Sequence, residues 1–115
     1  MKIPAPPPGT GAAGRRLWRA IMVAYQLSVT EDALLRQAVR TADHVAALDA
    51  VLEAEGLMVA GRDGVMRPHA ALVEVRQQRL VIARLLAALR LPTEDSSARA
   101  QPRGLRATYG TGVVS

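Results

Sequence analysis

Glu55-Gly56-Leu57-Met58-Val59-Ala60-Gly61-Arg62-Asp63-Gly64-Val65-Met66-Arg67-Pro68-His69 separates two long helical patterns, and its punctuation decides the fold. Gly56 stands where the upstream periodicity stops, a placement suited to the left-handed residue that closes a helix. Leu57 to Ala60 is short and apolar, and Gly61-Arg62-Asp63-Gly64 carries glycine at both ends of a tight turn. Pro68 then limits the chain before the next helix. The stretch predicts a β-hairpin at about 57–67, which reverses the chain so that the flanking helices lie antiparallel. An isolated hairpin is marginal in water, so this one has to lean on the helices or on another subunit.

The upstream helix is predicted from about Glu31 to Glu55, roughly 37 Å at about 1.5 Å per residue. Leu34, Ala38, Thr41, Val45, Leu48 and Leu52 form one apolar seam in three- and four-residue steps. Leu35, Val39, Ala42 and Ala46 form a second seam beside it. One seam suffices for pairing with a single helix, so two seams point to more than one neighbour, and in so small a chain one of them is expected to be another subunit. The downstream helix is predicted from His69 or Ala70 to Arg90, on the stripe Leu72, Val75, Ile82, Leu86 and Leu89, and Pro92 stops it. A first, short helix is predicted over Arg15–Leu27, from Leu17, Trp18, Ile21, Met22 and Tyr25. Ser28 or Thr30 then caps the second helix, with Glu31 and Asp32 in its first turn.

The two ends read differently. Residues 1–14 carry Pro4, Pro6, Pro7 and Pro8 and are predicted to be a disordered or extended arm. Within them, Gly9-Thr10-Gly11-Ala12-Ala13-Gly14 matches a dinucleotide-binding pattern, but a polyproline stretch precedes it where a strand is needed, so it reads as linker. Residues 93–115 are predicted to be a flexible, weakly basic tail. The expected fold is therefore mainly α: a short N-terminal helix, then two long antiparallel helices joined by a β-hairpin, all within residues 15–92.

The chain has 115 residues, one tryptophan, two tyrosines and no phenylalanine, so its core must be built from aliphatic residues. So thin a core in so short a chain favours oligomerisation. The absence of cysteine excludes disulfides, thiolate catalysis and cysteine-based metal sites. His44 and His69 are far apart and lack metal-ligand spacing, and no phosphate-binding loop or activated nucleophile is present. The expectation is a protein that is not an enzyme and uses no cofactor or metal. No apolar run approaches the roughly 18–20 residues of a membrane span, and Met1 to Pro8 lacks a signal-peptide core, which leads to the expectation of a cytoplasmic protein.

Charge is segregated. Residues 1–29 hold Lys2, Arg15, Arg16 and Arg19 and no acid. Residues 30–56 hold Glu31, Asp32, Asp43, Asp49, Glu53 and Glu55 against Arg36 and Arg40. Residues 57–91 hold six arginines against Asp63 and Glu74. Opposed blocks of this kind suit neighbouring helices, neighbouring subunits, or a polyanion on the basic parts. Arg15, Arg16, Arg19, Arg36 and Arg40 are the candidate DNA-contacting residues, and ordinary solvated arginines are the plain alternative. Leu57, Val59 and Val65 of the hairpin, with Leu48 and Leu52, are the candidate subunit-contact residues. A helical oligomerisation module that binds no DNA, pairing the basic third helix with the acidic second helix of a neighbour, is the alternative function.

In order and spacing, the chain from about residue 9 to 92 resembles the P27 family of phage terminase small subunits. The resemblance rests on Leu17-Trp18 after a Pro/Gly arm and on the long helix ending at Glu55-Gly56-Leu57. It rests also on the Gly61–Gly64 turn, on Arg67-Pro68-His69-Ala70-Ala71-Leu72 and on the closing Leu89-Arg90-Leu91-Pro92. The chain departs from the family pattern at Ala70, where proline tends to follow the histidine, and at Arg90, where glycine tends to separate the last two leucines. The resemblance implies a non-catalytic, ring-forming homo-oligomer that binds double-stranded viral DNA in the bacterial cytoplasm. It also implies that this ring recruits or regulates a large terminase subunit carrying the ATPase and nuclease.

Overall fold

A computed structural model describes residues 2–91 and the two-residue segment Gln101–Pro102. It contains helix α1 (Ala12–Ala24), strand β1 (Tyr25–Gln26), helix α2 (Val29–Glu55), strands β2 (Met58–Ala60) and β3 (Met66–Pro68), helix α3 (Ala70–Leu89) and strand β4 (Gln101–Pro102). The expected order of three helices with a hairpin between the second and third is present. Apart from β4, which pairs antiparallel with β1, the predicted tail at 93–115 lies outside the described residues.

Helix α2 starts where its capping residues dictate. The Ser28 side chain accepts a hydrogen bond from the Glu31 N–H at 3.2 Å, and the Ser28 N–H donates to Glu31 Oε1 at 2.7 Å. This reciprocal box satisfies two helix-end donors and contributes about 1 kcal/mol. At the other end Gly56 takes φ 82° and ψ 168°, a positive-φ, extended conformation that is essentially closed to residues with a Cβ. Glycine is needed there, as the sequence indicated, although the residue is not left-handed helical.

Both seams of α2 contribute to the core, and Ala46 alone among their residues is exposed. Leu35 and Val39 pack with Trp18, Ile21 and Met22 of α1 and with Leu89 of α3 in one buried cluster. Leu52 packs with Ala71 and Val75 in a second cluster, joined by Val45, Leu48 and Leu72. The first cluster anchors α1 on α2, and the second closes the antiparallel α2–α3 pair beside the hairpin. Trp18, Leu35, Val39 and Leu89 are almost wholly buried, each aliphatic side chain contributing about 1.5–3 kcal/mol. Arg79 Nη2 reaches both Asp49 carboxylate oxygens at 2.9 Å and ties α3 to α2, but the pair is exposed and worth at most about 1 kcal/mol.

The arm departs most from expectation. Residues 2–11 are placed against the helices, because the Trp18 indole N–H donates to the Pro4 carbonyl at 2.8 Å and Ile3 packs on the first cluster. The GxGxxG segment is not linker either. Gly11 is the N-cap of α1, and Ala12, Ala13 and Gly14 form its first turn, so the helix starts ahead of Arg15. The N–H groups of Gly11 and Gly14 donate to the two Asp43 carboxylate oxygens, both at 2.7 Å. A carboxylate of α2 therefore occupies the positive end of α1, where an anion is stabilised by the dipole and the unpaired amides. Gly14 makes that approach possible, since a Cβ there would lie 2.7 Å from the Val39 carbonyl oxygen.

The far end of α3 carries a local cost. Arg90 is left-handed, at φ 52° and ψ 47°, and is the one described non-glycine residue with positive φ.

Candidate nucleic-acid interface

The five predicted arginines gather around the arm. Arg15, Arg16 and Arg19 are exposed on α1 and line a shallow recess with Ala12. Arg15 and Arg19 also line a recess with Trp18, Val23 and arm residues Ile3 to Pro6. Arg36 and Arg40, one turn apart on α2, border the later arm residues Pro7 to Thr10 together with Val39 and Asp43. The two sets are far apart in sequence but flank the same strap of chain.

They are not equivalent. Arg15 donates from Nη1 to the Thr10 carbonyl, which ties it to the arm. Arg36 donates from Nε to Asp32 at 2.6 Å and lies over the Trp18 ring, 5.3 Å from its centroid. That stacking holds the guanidinium in place and spends its charge partly within the chain. Arg16, Arg19 and Arg40 form no ion pair with a described carboxylate.

The acidic block is used internally, which block charges cannot reveal. Glu31 closes the capping box, Asp32 pairs with Arg36, Asp43 caps α1, Asp49 binds Arg79, and Glu55 contacts His69. Glu53 alone among those acids has no partner among the described residues. Arg62, Arg76, Arg84 and Arg90 likewise lack a carboxylate partner among the described residues. Among the described residues, arginines without a carboxylate partner therefore outnumber acids without a partner.

The predicted subunit-contact residues divide. Leu57 and Val65 are exposed and Val59 is half-buried. Leu52 must be corrected: it packs on Ala71 and Val75 of α3 in the same chain and is only 8% exposed, while Leu48 is half-buried beside that cluster. The seam that looked surplus faces α3. The strand register reveals a face that single residues did not. Met58 pairs with Pro68 and Ala60 with Met66, placing these four on one side of the ribbon, and all four are exposed. The alternation of two was available in Met58, Val59 and Ala60, but its outward phase was not.

The hairpin itself is held at the turn. Asp63 accepts from the Val65 N–H at 3.0 Å and from both Arg67 terminal nitrogens, at 3.2 and 2.8 Å. The Arg67 guanidinium, aided by the Val65 N–H, holds the Asp63 carboxyl below the usual carboxylate value. His69 is structural as well: its Nδ1 accepts from the Ala71 N–H at 3.0 Å as the N-cap of α3, and its Nε2 contacts Glu55 at 2.7 Å. Accepting at Nδ1 leaves the proton on Nε2, which donates to Glu55. His44 is exposed on α2, and among the described residues no three metal-ligating side chains converge. No described helix is long and apolar enough to cross a membrane.

No family model, curated protein or solved structure matches this chain.

Proposed function

We propose that the chain is a small terminase subunit of the P27 type, a non-catalytic DNA-packaging protein acting as a homo-oligomeric ring. In this reading double-stranded viral DNA lies along the arm-flanking arginines, and the assembly recruits or regulates a large subunit that carries the ATPase and nuclease. The observation that carries it is the unequal fate of the charges. All the carboxylates of α2 except Glu53 are engaged within the chain, whereas Arg16, Arg19 and Arg40 are exposed and pair with no acid among the described residues. The same observation weighs against pairing α3 with the acidic helix of a neighbour, because that helix has little free acid to offer. The apolar outer face of the hairpin supports self-association, since monomeric proteins rarely leave such a ribbon uncovered.

The test is duplex-DNA binding across a salt series. Each phosphate neutralised contributes about −0.9 to the slope of log affinity against log salt. The triple variant Arg16→Ala/Arg19→Ala/Arg40→Ala is expected to reduce that slope by roughly one per lost contact, about three in all. No binding at low salt by an intact oligomer would reject the DNA role. A strict monomer by light scattering would reject the packaging assignment.

A further inference from the structure

The outer face of α3 is not used by the fold. Ala71, Val75 and Leu89 mark its buried side, yet Val73 is 56% exposed and Leu80 is 53% exposed. These two are seven residues apart and so lie on one stripe, with Arg76, Gln77 and Arg84 interleaved. From Val73 to Arg84 the stripe runs about 17 Å at about 1.5 Å per residue, close to three turns. Val73 and Leu80 therefore stand on one line of the helix framed by cations. Arg76 and Arg84 have no carboxylate partner among the described residues, and the nearby Arg79 is already committed to Asp49. Glu74, the one acid of this helix, is hydrogen-bonded to Gln78.

We propose that this face docks an amphipathic helix of a partner protein whose apolar stripe is bordered by carboxylates. Val73 and Leu80 would take the partner's apolar residues, and Arg76 and Arg84 its acids. Phosphate chains fit worse, because they offer nothing to two apolar side chains in the centre of the line. A second copy fits worse too, since most carboxylates of α2 are engaged within their own chain. The inference stands apart from the DNA reading, which concerns α1, α2 and the arm.

The probe is a fluorescein-labelled synthetic helix with leucines at heptad a and d positions and glutamates at e and g, titrated with the full chain by anisotropy. Saturable binding is expected, weakened by roughly tenfold or more in Leu80→Asp, because that side chain would leave its apolar contact. Leu80 is exposed, so the variant should keep its helical circular dichroism. Arg76→Glu/Arg84→Glu should lose the glutamate peptide and gain the lysine version of it. No saturable binding, or equal binding by the parent and Leu80→Asp, would overturn the proposal. So would loss of duplex-DNA binding in the charge-reversed variant with the peptide unaffected, or dissociation of a homo-oligomer by Leu80→Asp alone.

Discussion

Replacing Gly14 by alanine probes the α1–α2 junction, because two effects of opposite sign meet there. Gly14 lies in the first turn of α1, where alanine gains about 1 kcal/mol over glycine from backbone entropy and helix propensity. Against this, the added Cβ would lie 2.7 Å from the Val39 carbonyl oxygen, 2.8 Å from Asp43 Oδ2 and 2.7 Å from Thr10 Cγ2. The Val39 oxygen is backbone inside α2 and cannot turn aside, so α1 must lift. Overpacking of this kind costs about 1–3 kcal/mol. Lifting also stretches the two amide contacts to Asp43, a tertiary cap worth about 1–2 kcal/mol. The net expectation is a loss of about 1–4 kcal/mol, or roughly 4–8 °C in melting temperature per kcal/mol for a domain of this size. Thermal unfolding followed at 222 nm gives the number. Trp18 is the sole tryptophan and is 2% exposed, so its emission should shift to the red if α1 moves. Asp43→Ala alone should cost about 1–2 kcal/mol, and the double variant less than the sum, since both changes remove the same cap. A Gly14→Ala protein as stable as the parent, or more stable, would refute the close approach of the two helices.

The remaining expectations touch other parts of the fold. Arg90→Gly should stabilise the chain by about 0.5–1 kcal/mol, because a left-handed residue with a Cβ is strained, and an unchanged denaturant midpoint would count against that geometry. Met58→Asp/Met66→Asp should reduce assembly size in light scattering while leaving helical circular dichroism intact, because both side chains already face solvent. Asp63 is held below its ordinary value, so its contribution to the hairpin is present above the unfolded carboxylate value and lost as pH falls through the lower folded one. An acid titration of the Val65 amide resonance should show that step, and Asp63→Asn should abolish it. His69→Ala should cost about 1 kcal/mol through loss of the α3 cap, measured by urea unfolding.

Much of the helical architecture was legible because its signals are local. The seams of α2, Ser28 as one of two candidate caps and the Gly56 stop are spacings of three or four residues or single-residue preferences, and each acts where it is written. The β-hairpin was legible for the same reason, through the glycines of its turn. The position of the arm was not, since prolines and glycines specify no contact of their own. Its hold on Trp18 is one hydrogen bond between residues fourteen apart.

By itself, then, the sequence determined the three helices, the hairpin, their order and the antiparallel reversal at Gly56–Pro68, because periodicity and turn chemistry are properties of neighbouring residues; the short β1–β4 pair was not read from it. Only the tertiary structure decided what the acids do. Asp43 meets Gly11 and Gly14 from 32 and 29 residues away, and Asp49 meets Arg79 from 30 residues away. Those encounters depend on how the helices dock, which linear spacing does not encode. They convert an alternating charge pattern into a surface on which arginine is left over, and they bury one face of α2 that the sequence had offered to another subunit.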